Sequence, residues 1–85
     1  LQAPDLQRSP QELLEREERL NVVKQLMAQL PEKQRTALHL RDVEGKTTEE
    51  VATLLQTTEA NVKVLVHRAR QFIKASYLKI ENHGL

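Results

Sequence analysis

From Thr58 onward the apolar positions recur with the period of a helix. At about 100° per residue, Val62, Leu65, Val66, Ala69, Phe72, Ile73, Tyr77 and Ile80 share one arc. Lys63, His67, Arg68, Arg70, Gln71 and Lys74 cover the opposite side. Val64 breaks the separation and points outward among the cations. A helix with a basic outer face and a polar run just before it has the pattern of one that enters a nucleic-acid groove.

Upstream, the same patterning predicts three shorter helices. Residues 1–8 show no periodicity and contain a proline, so they read as a linker or arm ahead of a domain spanning 9–85. Ser9 can cap a helix whose first residue is Pro10, with Glu12 three residues after the cap as in a capping box. That helix is expected to reach about Gln29, burying Leu13, Leu20, Val23, Met27 and Leu30, with Leu14 and Leu26 beside them. Glu12–Arg16 and Glu15–Arg19 are acid-before-base pairs four apart on a solvated face, each contributing a few tenths of a kcal/mol. Leu30-Pro31-Glu32 closes this helix and opens a second to about Val43, with Ala37, Leu38, Leu40 and Val43 inward. Gly45 suits a left-handed cap.

Thr47-Thr48-Glu49-Glu50 is a second capping box, opening a short helix with Val51, Ala52, Leu54 and Leu55 inward. Gln56-Thr57 closes it, Thr58 caps the long last helix, and Asn82-His83-Gly84 ends that helix after about Glu81. A helix of about two turns, a turn of about three residues and a second helix with a polar outer face make a helix-turn-helix. Ala52 is small enough to let the two helices cross closely. The predicted class is all-α: a four-helix domain with a C-terminal helix-turn-helix.

Composition narrows the picture. Eighty-five residues form one domain with a single modest core. One Phe, one Tyr and no Trp leave that core aliphatic, and the absence of cysteine removes disulfides and thiolate metal sites. Net charge is only +1, but residues 58–85 carry five basic and two acidic side chains, a local +3 against −2 for the rest. A basic end on a balanced domain fits phosphate as well as a solvated face. No apolar run reaches the roughly 20 residues of a membrane span. His39 and His83 lack partners at metal-ligand spacing, and Asp42 with Glu44 reads as a helix-end charge cluster rather than a catalytic pair. No cofactor site and no catalytic constellation are expected, so the chain does not read as an enzyme.

The motifs also carry a resemblance. Leu30-Pro31-Glu32-Lys33-Gln34-Arg35, Leu40-Arg41-Asp42-Val43-Glu44-Gly45, Thr47-Thr48-Glu49-Glu50-Val51-Ala52, Val62-Lys63 and His67-Arg68-Ala69-Arg70 stand in one register over about residues 28–75. Together they resemble region 4 of bacterial RNA polymerase sigma factors, of the extracytoplasmic-function type. The response-regulator type of helix-turn-helix shares the Val-Lys pair, but the Leu-Pro opening and the Arg-Ala-Arg favour sigma.

The resemblance implies a cytoplasmic domain that reads the promoter −35 element in the major groove and docks on the flap of the polymerase β subunit, with an anti-sigma factor as a further partner. By position, Asn61, Lys63, Val64, His67 and Arg68 would face DNA; the periodicity picks the last four unaided. Arg70 would contact phosphate or form a structural pair. Thr47 and Thr48 would lie near phosphate at a helix N-terminus. Two positions depart from the family pattern. Leu65 stands where many members have a cation, and Val64, where a small polar residue is usual, can meet a thymine methyl. The start at Leu1 without methionine leads to the expectation of a longer protein, with a −10-reading domain ahead of this one. A helix-turn-helix used mainly for protein contact remains the alternative reading.

Overall fold

The computed structural model describes residues 9–82. The expected arm at 1–8 and the His83-Gly84 terminator lie outside them. Four α-helices follow in order: α1 (Pro10–Ala28), α2 (Glu32–Leu38), α3 (Thr48–Leu55) and α4 (Glu59–Asn82), with a π-helical turn at His39–Val43 extending α2. No strand occurs among the described residues, as the aliphatic, helix-period sequence predicts.

The helix ends follow from local chemistry. The Ser9 hydroxyl accepts the Glu12 N–H at 3.1 Å, and Pro10 begins α1. The return bond that would complete a capping box forms at Thr47 and not at Ser9. At the other end of α1, Arg35 donates to the carbonyls of Ala28 (3.3 Å) and Leu30 (3.5 Å). The Ala28 carbonyl is the last of the helix and has no partner within it, and Leu30 follows two residues later. The cation also suits the negative end of the helix dipole. The arginine of the Leu-Pro-Glu-Lys-Gln-Arg motif thus ties α1 to α2.

The π turn is the main departure from expectation. The Glu44 N–H reaches back five residues to the His39 carbonyl at 3.0 Å, and the Lys46 N–H six residues to Leu40 at 2.9 Å. Widening the ladder by one residue turns the following side chains by roughly 100° relative to a continuous α-helix. Val43, expected inside, is therefore 63% exposed. Gly45, at φ +71°, then adopts the left-handed conformation expected of it.

Buried Leu30, Ala37, Leu38, Val51, Ala52, Val62, Val66 and Ala69 form one cluster, with Met27, Leu40, Leu55, Leu65 and Ile73 packed around it. Every helix contributes to this cluster or its margin, and α4 contacts each of the other three. Several positions differ from the helical-wheel expectation. In α1 the buried residue is Leu26, while Leu20 and Leu14 are exposed, because only the C-terminal part of α1 reaches the core. Leu54 in α3 and Phe72 in α4 lie outside as well; each falls at the edge of an arc whose centre (Val51, Ala52; Val62, Val66, Ala69) already fills the contact.

At the start of α3 the capping box is complete. Thr47 N–H donates to Glu50 Oε1 at 2.9 Å, and Glu50 N–H donates to Thr47 Oγ1 at 3.1 Å. The Thr47 backbone N–H chiefly, then its hydroxyl and the charge of Lys46, hold the Glu50 carboxyl below its ordinary value of 4.5. Thr47→Ala is expected to lower stability by about 1 kcal/mol in urea denaturation. Because the folded-state pKa of Glu50 is depressed, its contribution is fully present above 4.5 and disappears as pH falls through the lowered value. The stability gap between wild type and Glu50→Ala should therefore close on acidification.

Candidate nucleic-acid interface

α3 and α4 form the helix-turn-helix, and the turn between them is built without glycine. Gln56 takes the left-handed conformation, φ 54° and ψ 49°. Its N–H donates to the Thr53 carbonyl (3.2 Å), and the Thr57 N–H donates to Ala52 (2.9 Å). These are the two bonds of a Schellman cap. Thr58 then caps α4, its hydroxyl accepting the Asn61 N–H at 3.0 Å. The chain reverses in three residues because both helix ends are hydrogen-bonded through the turn itself.

This geometry fixes which side of α4 faces out. Val62, Val66 and Ala69 are buried, whereas Lys63, Val64, His67, Arg68 and Arg70 are exposed, Val64 at 42%. An open concavity of about 590 Å³ runs along this face, and Thr48, Lys63, Val64, His67, Arg68 and Arg70 all line it. It thus gathers six of the eight residues to which the sequence points. Thr47 sits next to Thr48 as the α3 cap, and Thr48 is the first residue of α3, where helix N–H groups favour an anion. Asn61, immediately before Val62, does not line the concavity but a smaller depression with Lys33, Leu55, Gln56, Thr57 and Leu65. Its amide donates to the Thr57 hydroxyl at 2.9 Å, which leaves the amide oxygen and the second N–H for other partners. Leu65 is half-buried against the core and adds packing rather than charge.

The cations of this face differ in what holds them. Among the described residues, Lys63, His67 and Arg68 make no ion pair within 4 Å. Arg70 does: its Nε donates to Asp42 Oδ2 at 3.0 Å, and its Nη2 meets Asp42 Oδ1 in the second arm of a fork. The Asp42 hydrogen bond, more than its charge, holds the guanidinium pKa above the usual value. The π turn brings Asp42 to this position, and its neighbour Glu44 pairs with His39 at 3.2 Å. The two carboxylates of the helix end thus engage separate partners, Asp42 with Arg70 and Glu44 with His39.

Arg41 is not among the residues that the sequence pattern singles out, yet it lines the same concavity. It is half-buried and donates through Nη1 to the Lys46 carbonyl at 2.6 Å, fastening the loop that leads into α3. The only sequence signal for it is its place beside Asp42 in the Leu40–Gly45 motif; the α-helical period offers no cue, because the π turn sets its direction.

A second concavity, of about 580 Å³, lies between α1, the π turn and α4. Leu20, Val23, Met27, Val43, Ile73, Tyr77 and Leu78 supply its apolar lining, and Arg19, Asp42, Arg70 and Lys74 also border it. Leu20 and Val43, which the helical wheel places in the core, belong instead to this groove. Among the described residues no group of three or more His, Cys, Asp or Glu side chains is arranged to hold a metal. No described helix is long and apolar enough to cross a membrane.

A compact helix-turn-helix with a cationic, partly apolar recognition face defines a DNA-binding domain. Residues 20–73 match the family described as sigma-70, region 4, and the chain belongs to that family. It is also 42% identical over 65 residues to the RNA polymerase sigma-H factor of Pseudomonas aeruginosa. The match covers 76% of this chain and 34% of that protein, so the chain spans about a third of its relative's length.

The turn allows a direct test of the geometry. A non-glycine residue in the left-handed region pays roughly 1–2 kcal/mol, while glycine loses somewhat more backbone entropy on folding. Gln56→Gly is therefore expected to raise stability by about 0.5–1 kcal/mol in thermal or urea unfolding, with DNA binding unchanged.

Proposed function

We propose that this domain reads the −35 element of bacterial promoters through the major groove, as the C-terminal domain of an extracytoplasmic-function sigma factor acting in the cytoplasm. The observation that carries this reading is the exposed face of α4, where Lys63, Val64, His67 and Arg68 share one concavity behind a tight helix-turn-helix. Arg68 is the candidate for a bidentate contact to guanine and Val64 for a thymine methyl. His67 and Asn61 offer hydrogen bonds to base edges or phosphate. Lys63, and Thr47 and Thr48 at the start of α3, serve the phosphate backbone. Arg70 borders this face in its fork with Asp42. No step in this function requires a cofactor or covalent chemistry.

The apolar groove supports a second contact, with the flap helix of the RNA polymerase β subunit. An amphipathic helix can lay its apolar side along Leu20, Val43, Ile73 and Leu78. An anti-sigma factor, as a further partner, would act by covering either surface. The same groove, with a net charge of only +1, favours the competing reading in which protein contact dominates and the isolated domain holds DNA weakly.

Selection of preferred −35 sequences with the intact factor and core polymerase separates these readings. Lys63→Ala should weaken binding to all sequences alike and reduce the salt slope by about one. Arg68→Ala or Val64→Ala should instead relax preference at one base position, by about 1–3 kcal/mol. Unchanged promoter preference in Arg68→Ala would remove its base-reading role. For the groove, Leu78→Glu alters a side chain already 47% exposed. It should cut affinity for core polymerase by about ten-fold or more, the equivalent of one leucine no longer buried, while leaving the DNA affinity of the domain intact.

A further inference from the structure

The Asp42–Arg70 fork has no evident structural necessity. Both side chains are substantially exposed, at 40% and 54%, and exposed ion pairs add only modestly to folding, most of all where the geometry is bidentate as it is here. Core residues already join α4 to α2 beside it: Ala69, next to Arg70, and Leu38, before the π turn, belong to one buried cluster. What the fork does change is the electrostatics of the recognition face. Lys63, His67, Arg70 and Lys74 follow one another at spacings of four, three and four, which places them in one line along α4. Arg70 stands one turn beyond His67, about 4.5 Å along the axis, and lines the same concavity as Lys63 and Arg68. A cation at that point in the row is placed to meet the phosphates of a duplex seated on the face.

We propose that Asp42 masks Arg70: the carboxylate occupies the guanidinium fork that would otherwise clamp a DNA phosphate, and so limits the sequence-independent part of the domain's affinity. The inference rests on the DNA-binding reading of this face and adds to it a residue that touches no DNA. Carboxylate and phosphate present similar paired oxygens to a guanidinium, so while Asp42 holds Nε and Nη2 that edge of Arg70 is closed to phosphate. The π turn makes this possible, because its extra residue turns Asp42 toward α4. The consequence is a recognition face on which the other exposed cations, Lys63 and Arg68 in the concavity and Lys74 beyond it, carry proportionally more of the binding, which suits a protein that must leave non-specific sites quickly.

The test is the salt dependence of DNA affinity for the full-length factor, with duplexes that carry and lack the preferred −35 sequence, for wild type, Asp42→Asn, Arg70→Gln, the double variant and Lys63→Ala. Thermal melting checks that each is folded. Masking predicts that Asp42→Asn binds both duplexes more tightly, with log K against log salt steeper by about 0.9. That slope corresponds to up to about eight-fold at 0.1 M salt, with the preference between the two duplexes unchanged. In the Arg70→Gln background the same substitution should leave the slope where it is. Arg70→Gln alone should lower the slope by less than Lys63→Ala does. If Asp42→Asn leaves affinity and slope unchanged, or weakens the specific duplex alone, the fork is a strut for α4 and masking is overturned. A drop in slope for Arg70→Gln equal to that for Lys63→Ala overturns it too, independently of how Asp42→Asn folds, because Arg70 would already be on phosphate. Wild type that shows no salt-dependent binding to either duplex, with Lys63→Ala indistinguishable from it, instead removes the DNA-binding reading itself.

Discussion

The inner face of α4 sets everything its outer face can do. Val62, Val66 and Ala69 are buried in the one cluster that α1, α2 and α3 also reach. Their burial fixes the rotation of the helix about its axis to within a fraction of one residue's roughly 100°. With that rotation set, Lys63, Val64, His67 and Arg68 have no choice but to face outward. The alanines are as important as the larger side chains here. Ala37 and Ala69 are completely buried and Ala52 nearly so, and small residues at a crossing bring helix axes close enough for a three-residue turn to join α3 and α4. The domain is too small to hold such a geometry with a large core, so it relies on close contact between backbones and on well-capped helix ends.

Periodicity recovers the helices and the exposed face of α4 because both depend on a regular α-helical repeat. The spacing of Lys63, Val64, His67 and Arg68 is enough to group them on one side, and the capping signatures at Ser9, Thr47 and Thr58 locate three helix starts. The pattern fails where the repeat is interrupted or where burial runs out. Val43 closes a π turn that no simple apolar pattern announces, so its expected inward position is wrong by about one residue's rotation. Leu20 and Leu54 lie on apolar arcs longer than the surface available to cover them. The fork between Asp42 and Arg70, 28 residues apart, is a long-range contact that no local pattern encodes. The left-handed Gln56 is hidden for a different reason, since the sequence offers no glycine where the turn needs one.

The two concavities place complementary demands on one helix. The first half of α4, with the α3 N-terminus, lines the cationic surface, while Ile73, Tyr77 and Leu78 further along line the apolar groove. A 24-residue helix is long enough, at about 36 Å, to serve both without either set of side chains occupying the other's place. Arg70 is where they meet, since it borders both concavities. A partner in the groove and a duplex on the recognition face would therefore be held by the same rigid rod, and their relative orientation would follow from α4 rather than from any flexible linker.

The small net charge belongs to the same logic. Counterion release gives every additional phosphate contact a gain that is the same on all sequences, so a strongly basic domain binds everywhere before it discriminates anywhere. Here the acidic residues are placed so that the cations of the recognition face are few. Asp42 engages Arg70, and Glu49 and Glu50 stand in the first turn of α3 beside the surface that Thr48 lines. In the proposed −35 reading, discrimination would then fall to short-range contacts, the guanidinium of Arg68 and the methyl groups of Val64, whose value depends on the base met. Val64 is 42% exposed among these cations; if masking keeps the affinity of the face low, one apolar contact from that valine would be enough to matter.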